Sequence, residues 1–242
     1  MESYYSEKGV PLFNTSQFYS LMLEKGVGCD KHGHFRALET ILLPHQPFQI
    51  VKYMDHNIIE VKSDHYDYDI QLFTDIRFSS KKRINPPPLT SITQVLDLLK
   101  KQVGRRYLWG GTVNSPINQM LKLYPPRFEL NNYKKQQWIL NGIDCSGLLH
   151  FATSGFTPRN SSKLRTYGIE IDEGNLKPLD LILEPNHVMI VIDNKKVIQS
   201  KENRGVFIED LSVRLSYSKN RNYEYRRFTH LFDYDSTYLQ KS

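Results

Sequence analysis

Cys145 and His187 are the two residues whose types and settings could do nucleophilic chemistry. The stretch Asp144-Cys145-Ser146-Gly147 places the cysteine where a loop turns into an apolar, helix-compatible segment, and His187 opens a strand-like apolar run. A thiol becomes a nucleophile at neutral pH when a helix N-terminus or a nearby imidazole favours its ionised form. These two segments can supply both, so the pattern predicts a cysteine hydrolase.

Each of the two residues also has an ordinary structural interpretation. A lone cysteine is often a small buried hydrophobe, and the chain has eight histidines from which one could fall by chance at the start of a strand. The small residues Ser146 and Gly147 favour the catalytic interpretation, because they leave backbone amides at the helix start open to an incoming carbonyl. The amide of Cys145 would then be an oxyanion donor, and His187 would be the general base.

A general base of this kind needs a polar group that orients its ring. The strand-like segment Lys196-Val197-Ile198-Gln199-Ser200 follows a polar turn and would lie back along the histidine strand. Gln199 is therefore the candidate. Its side chain can accept a hydrogen bond from an imidazole N–H but adds no charge.

A run of three prolines, Pro86 to Pro88, is the clearest boundary in the chain. Consecutive prolines favour an extended connector, and the basic polar run before them cannot build a core. The sequence therefore predicts an N-terminal domain over residues 1–80, a proline-rich linker over 81–90 and a second domain over 91–242.

The N-terminal part combines a leading helical segment with short apolar segments of strand-like composition. Turn-prone residues separate these segments, and this spacing is typical of a small β-barrel. The expected strands are Ala37–Leu43, Phe48–Val51, Ile58–Val61 and Ile70–Phe73.

The C-terminal part predicts an α+β fold, with a helix carrying the cysteine and an antiparallel sheet carrying the histidine. Thr90 or Ser91 would cap an earlier helix, and residues 112–142 read as an inserted loop with some helix. That earlier helix has one apolar face, formed by Ile92, Val95, Leu96, Leu99 and Val103. The expected strands are Leu179–Leu183, His187–Ile192, Lys196–Ile198, Gly205–Ile208 and Tyr223–Phe228.

Four short motifs follow one another along the second part of the chain: Tyr107-Leu108-Trp109-Gly110-Gly111, Asp144-Cys145-Ser146-Gly147-Leu148, Pro178-Leu179-Asp180-Leu181 and the run from His187 to Ile192. Their order resembles that of the NlpC/p60-type papain-like cysteine peptidases of the cell wall, and the resemblance extends over roughly residues 92–228. The resemblance implies a papain-like catalytic domain in which Cys145 is the nucleophile and His187 the base. It makes Gln199 the third polar residue and gives the Tyr107 hydroxyl a part in polarising the scissile carbonyl.

The same resemblance implies a peptidoglycan stem peptide as substrate, cleaved between γ-D-glutamate and a diamino acid. The N-terminal strand order resembles the bacterial SH3-like modules that accompany such enzymes. The residues implied in substrate binding are Asp144, Ser146, Trp109, Arg159 and Ser161. The chain departs from the family pattern at Gln199, where His is common, and at Leu179, which replaces a usual glycine.

The overall composition limits the kinds of partner and the cellular location that we expect. The net charge of +6 comes from scattered basic residues, which favours anionic peptides and does not predict nucleic-acid binding. Cys29 and Cys145 lie far apart and outside any C-x-x-C pair, so we expect two thiols. The N-terminus has no signal-peptide core and no apolar run has membrane-spanning length. We therefore expect a cytoplasmic protein, or a cell-envelope protein if a leader was removed.

No cofactor or metal is expected. The stretch from Cys29 to His34 contains ligand-type residues, but zinc needs four ligands and no second pair is evident, so a solvated loop is favoured. Two other functions stay open from the sequence. One is a papain-like amidase or acyltransferase acting on another substrate, and the other is a non-catalytic cell-wall-binding protein.

Overall fold

A computed structural model describes residues 2–24, 28–88, 91–217 and 222–229. The chain forms two compact units, the first made of residues 1–87 and 108–144 and the second of residues 88–107 and 145–242. The chain therefore passes from one unit to the other three times. The sequence placed residues 108–144 in the second domain, whereas in the structure they pack in the first unit. Residues 89 and 90, the last two of the expected linker, lie outside the described residues. Thr90, one of the two expected helix caps, is therefore outside them as well.

The first unit contains a six-stranded antiparallel sheet, with helix α1 (Phe18–Leu23) after its second strand. The expected strands are confirmed as β3 (Leu38–Leu42), β4 (Phe48–Tyr53), β5 (Ile58–Lys62) and β6 (Leu72–Asp75). Two earlier strands, β1 (Ser3–Tyr4) and β2 (Val10–Phe13), were not predicted from the sequence. β1 has only two residues, and β2 contains Pro11, which argues against a strand because proline donates no ladder hydrogen bond. In spatial order the strands are β1 (Ser3–Tyr4), β4 (Phe48–Tyr53), β5 (Ile58–Lys62), β6 (Leu72–Asp75), β2 (Val10–Phe13) and β3 (Leu38–Leu42).

The segment 108–144 carries two short helices, α3 (Gln119–Leu123) and α4 (Asn132–Trp138), and contributes to the core of the first unit. Its Tyr124 hydroxyl donates to the buried carboxylate of Asp75 at 2.5 Å, and Arg77 holds the same carboxylate. The ring of Trp138 is fully buried, and its indole N–H donates to the Tyr124 carbonyl at 2.8 Å. The helical content expected for residues 112–142 is thus present.

In its described residues, the second unit contains another six-stranded antiparallel sheet and four α-helices, which confirms a mixed α/β architecture. Helix α5 (Cys145–Ala152) packs against strands β9 (His187–Val191) and β10 (Lys196–Lys201) and against helix α2 (Ile92–Lys100). The helices are α2 (Ile92–Lys100), α5 (Cys145–Ala152), α6 (Ser161–Leu164) and α7 (Leu211–Leu215). In spatial order the strands are β11 (Gly205–Asp210), β10 (Lys196–Lys201), β9 (His187–Val191), β8 (Leu181–Glu184), β12 (Glu224–Arg227) and β7 (Ile169–Glu170).

Helix α2 begins as its sequence predicts. The Ser91 side chain accepts from the backbone N–H of Gln94, and the Gln94 side-chain oxygen accepts from the backbone N–H of Ser91, which is a capping box. Its buried face is narrower than expected, because Ile92 and Val103 are 39% and 48% exposed. Within the described ranges, no helix has both the length and the apolar character of a membrane span.

Candidate active site

Cys145 is the first residue of α5. The helix forms because the residues that follow are apolar and compact, and most of them are buried in the second unit. The cysteine itself is only 6% exposed. Its position places the sulfur at the positive end of a helix dipole, where a negative charge is stabilised.

His187 begins β9 directly after a two-residue turn. Glu184 and His187 form the last pair of the β8–β9 hairpin, so Pro185 and Asn186 make the whole connection. Asn186 has a φ of +62°, and proline followed by a residue with positive φ is the pattern of a type II turn. The turn therefore fixes the position of His187, whose imidazole is half-buried, at the start of β9.

Gln199 contacts the imidazole from the neighbouring strand. His187 Nε2 lies 2.7 Å from Gln199 Oε1, and Gln199 is 1% exposed. β9 and β10 pair antiparallel with Ile198 opposite Ile190, which puts His187 and Gln199 on one face in a diagonal relation. The predicted orienting partner therefore does contact the predicted base.

The hydrogen-bond partners assign the proton on the ring. The Gln199 amide nitrogen donates to Glu209, and an ionised carboxylate only accepts. The amide oxygen therefore faces His187, and an oxygen acceptor requires the proton to be on His187 Nε2. Nδ1 is then the basic nitrogen of the neutral ring.

The surroundings keep the ring neutral near pH 7. Burial lowers the pKa of His187 below its ordinary value of 6.5, and this outweighs the opposing effects of the Gln199 bond and the Glu184 charge. Lys201 and Arg214 lower the pKa of His187 further by charge repulsion. A neutral imidazole is the form that can take a proton from a thiol.

Glu209 and Arg214 extend this polar chain, and sequence reasoning missed both. Arg214 donates to Glu209 Oε1 from Nε at 2.9 Å and from Nη2 at 2.6 Å. The predicted strand ended at Ile208, whereas β11 runs to Asp210 and its pairing puts Glu209 opposite Val197. The signal that could have found Glu209 was the alternation of side chains along β11.

Two of the predicted substrate-binding residues meet in the second unit. Arg159 Nη1 donates to Ser146 Oγ at 3.0 Å, and both residues are about 95% buried, with exposures of 5% and 4%. Ser161, which is partly exposed, is the first residue of α6. A guanidinium next to the residue that follows Cys145 could bind a carboxylate.

The other two, Asp144 and Trp109, belong to the first unit. Asp144 donates its backbone N–H to the Gly111 carbonyl at 3.1 Å. The Trp109 ring stacks with His34, and the Arg36 guanidinium lies 3.7 Å from its centroid. Asp30 holds Arg36 at 2.7 Å, so the Trp109 ring lies in a layered contact within the first unit.

Tyr107 follows a segment that is hydrogen-bonded to the start of β11. The Gly104 N–H donates to the Val206 carbonyl, and the Val206 N–H donates to the Arg105 carbonyl, at 2.9 and 2.8 Å. Gly205, with a φ of +70°, permits this approach, since a Cβ there would lie 2.0 Å from the Arg105 oxygen. Tyr107 itself is partly exposed.

Asp180, in the third motif, has a structural role. Its carboxylate is fully buried, accepts two bonds from Arg227 at 2.8 and 2.6 Å, and accepts the Lys177 N–H at 2.6 Å. The Asp180 carboxylate therefore links the segment that leads into β8 to strand β12. Among the described residues, no group of three or more His, Cys, Asp or Glu side chains is placed to hold a metal ion.

Comparison with known proteins gives a family match. The sequence profile of the NlpC/P60 family matches residues 104–227, which is half of the chain and includes Cys145, His187 and Gln199. No curated protein matches the chain significantly in sequence.

Several solved structures are similar to the chain, and two of the following three are described as NlpC/P60 proteins. An NlpC/P60 family protein from Bacillus cereus has 16% identity and a TM-score of 0.44, over 94% of this chain and 64% of that one. The peptidoglycan hydrolase RipB from Mycobacterium tuberculosis has 21% identity and a TM-score of 0.41, over 56% and 63%. RipD from the same organism, a non-catalytic NlpC/p60 domain protein adapted to peptidoglycan binding, has 17% identity and a TM-score of 0.40, over 56% and 95%. The chain spans slightly less than two thirds of the Bacillus protein and of RipB.

Proposed function

Because this chain belongs to the NlpC/P60 family, we propose that it is a cysteine peptidase that hydrolyses peptidoglycan stem peptides. Cys145 is the nucleophile, His187 the base and Gln199 the group that orients the base. The observation that carries the proposal is the 2.7 Å contact between His187 Nε2 and Gln199 Oε1. It lies on the two strands against which the helix of Cys145 packs.

In the proposed reaction, His187 Nδ1 takes the thiol proton and the sulfur attacks the scissile carbonyl carbon. The oxyanion that forms accepts a hydrogen bond from the backbone N–H of Cys145 at the helix start, and the Tyr107 hydroxyl helps to polarise the scissile carbonyl. The carbon–nitrogen bond then breaks as the imidazolium returns its proton to the leaving amine. Water next attacks the thioester, with His187 again taking a proton, and releases the acid and the thiol.

The proposed substrate is the bond between γ-D-glutamate and diaminopimelate. The buried Arg159, bonded to Ser146, supports recognition of the free α-carboxylate of the γ-linked glutamate, since a guanidinium binds carboxylates well. Asp144 is proposed to bind the amine of an L-alanyl end, and Ser161 and Trp109 are each proposed as further substrate-binding residues. The N-terminal six-stranded sheet is proposed as an SH3-like module.

The test is hydrolysis of L-alanyl-γ-D-glutamyl-diaminopimelate by the purified chain and by Cys145→Ala. We expect release of diaminopimelate by the wild type and a loss of at least about 10³-fold in the variant, since it lacks the nucleophile. Cys29→Ser is the matched control and should keep full activity. Equal turnover by wild type and Cys145→Ala would overturn the mechanism.

A mixture of muropeptides distinguishes the two other functions. Mass spectrometry of the products identifies which bond was cut, so cleavage at a different amide would replace the proposed substrate while keeping the nucleophile. Binding of muropeptides without any turnover would instead indicate a non-catalytic wall-binding protein.

A further inference from the structure

We propose that Glu209, held by Arg214, is a positioning residue that fixes the amide of Gln199 and thereby the tautomer of His187. The inference rests on the proposed function and deepens it. It extends the site from three residues to a polar chain that crosses three strands and ends on helix α7.

The sheet register builds this chain. Gln199 lies opposite Phe207, and Val197 lies opposite Glu209. Because side chains alternate along a strand, Gln199 and Glu209 project from the same face, one diagonal step apart. His187 stands one diagonal step from Gln199 on the other side. The chain therefore runs obliquely across β9, β10 and β11.

An apolar cluster surrounds this face. The residues on the same side of the strands pack together with helix α7 in the core of the second unit. Their low exposure removes water that could otherwise satisfy a misplaced amide. The cluster consists of Ile182, Met189, Val191, Val197 and Leu211.

Gln199 alone could not define the tautomer. An amide can present either its oxygen or its NH₂ to a ring nitrogen, and the two orientations have nearly the same shape. The reversed orientation would donate to His187 Nε2 and move the ring proton to Nδ1, which is the nitrogen that must be basic. The carboxylate of Glu209 rejects this orientation, because an amide oxygen facing it would meet no donor.

Arg214 reinforces this choice of orientation for the Gln199 amide. Its two donors converge on the same Glu209 oxygen that accepts from Gln199. The side chains of Arg214 and Glu209 are only 9% and 18% exposed, so the ion pair is poorly screened by solvent. A carboxylate has no hydrogen to donate, so both Arg214 and Gln199 act as donors toward it.

The test compares Glu209→Ala, Glu209→Gln and the control Asp210→Asn. Asp210 is the next residue on β11 and forms an exposed ion pair with Lys196 at 2.6 Å. The readouts are kcat/KM on the tripeptide and the His187 tautomer, measured by long-range ¹H–¹⁵N correlation with ¹⁵N-labelled histidine. His187→Asn identifies the signal.

We expect the wild type to hold the Nε2–H form and Glu209→Ala to show both tautomers. Its kcat should fall by about 10- to 100-fold with little change in KM, as for a misoriented catalytic group. Glu209→Gln keeps an acceptor without the charge, so it should recover part of the loss. Asp210→Asn should match the wild type.

Glu209→Ala leaves the Arg214 charge without its partner and could fail to fold; Glu209→Gln then provides the decisive comparison with the wild type. A wild-type tautomer and wild-type kcat in the folded Glu209 variants would overturn the inference. The tautomer measurement needs no substrate. The protein can therefore be tested for each claim separately: if it does not cut the tripeptide, the proposed function is wrong. If the His187 tautomer nevertheless changes on Glu209 substitution, this inference stands.

Discussion

The two cysteines provide an internal comparison of thiol reactivity. Burial raises the pKa of Cys29 to about 11, against a lowering contribution from the Gln137 hydrogen bond. Cys29 is therefore protonated at neutral pH and reacts slowly, since the thiolate is the nucleophile. Cys145 stands at a helix N-terminus, and in the proposed mechanism it loses its proton to His187.

Iodoacetamide near pH 7 is therefore expected to alkylate Cys145 first, and Cys29 only as the pH approaches its pKa. Peptide mass spectrometry gives the rate at each site. His187→Asn should slow alkylation of Cys145 about 10-fold or more and leave Cys29 unchanged, because general-base assistance is lost. Faster labelling at Cys29 in the wild type would contradict the assignment of the nucleophile.

The depressed pKa of His187 also makes stability depend on pH. The unfolded chain takes up this proton near the ordinary value of 6.5, and the folded protein takes it up only at lower pH. The contribution of His187 to stability is therefore complete above about pH 6.5 and is lost as the pH falls through the lowered pKa.

Urea unfolding between about pH 5 and 8 should show this loss on the acid side. His187→Asn should remove part of the slope. His65, whose pKa is also lowered by burial, remains in both proteins and cancels in the comparison. An identical slope in the two proteins would exclude the linkage.

At the scale of elements, the turn of Pro185 and Asn186 determines where His187 begins. Asn186→Gly should preserve stability and activity, because glycine adopts a positive φ without strain. Asn186→Val should lower the free energy of unfolding by about 1–2 kcal/mol, since a β-branched residue resists the left-handed region. Its kcat should fall as well, because the ring is displaced.

Thermal unfolding and tripeptide hydrolysis measure these two effects. Full activity in Asn186→Val would show that the hairpin does not position the base.

The elements that the sequence predicted are those with strong local signals. Ser91 with Gln94 marks the start of α2, and the alternating apolar run after His187 marks β9. β2 was missed because Pro11 obscures it, although long-range pairing with β3 places it in the sheet. Glu209 was missed because the predicted strand ended at Ile208. Its contact with Gln199 also depends on the register between two strands, which the local pattern does not contain.

Leu179 is a departure that the structure explains only in part. It has a φ of +70° and is fully buried. A left-handed backbone favours glycine, which is the residue that the family resemblance leads us to expect there. The burial shows that the leucine side chain fills core volume, and the left-handed conformation opposes that gain.

At the scale of the whole molecule, segment 108–144 is bound to the first unit by specific polar contacts. Tyr124 donates to the buried Asp75 carboxylate, and Gln137 Nε2 donates to the Gly33 carbonyl at 2.7 Å. Thr40 and Thr112 lie 3.4 Å apart through their hydroxyl oxygens. These contacts explain why a segment that lies inside the family match packs with the N-terminal sheet.

Tyr124→Phe should therefore lower the free energy of unfolding by about 1–3 kcal/mol, because a buried carboxylate loses a donor. Tyr133→Phe, in the same segment but 56% exposed, is the matched control and should change it by less than about 0.5 kcal/mol. Calorimetry gives both values. Equal effects of the two substitutions would mean that segment 108–144 is not anchored through Asp75.

The three passages of the chain between its units constrain how such a protein can be assembled in evolution. A gene fusion that joins an unrelated N-terminal module at the proline run would replace residues 1–87 and leave segment 108–144 without the strands on which it folds. Exchange of the first unit therefore requires the coordinated replacement of two segments, 1–87 and 108–144. The second replacement must end at the residue before Cys145. Lineages should consequently inherit the two units together.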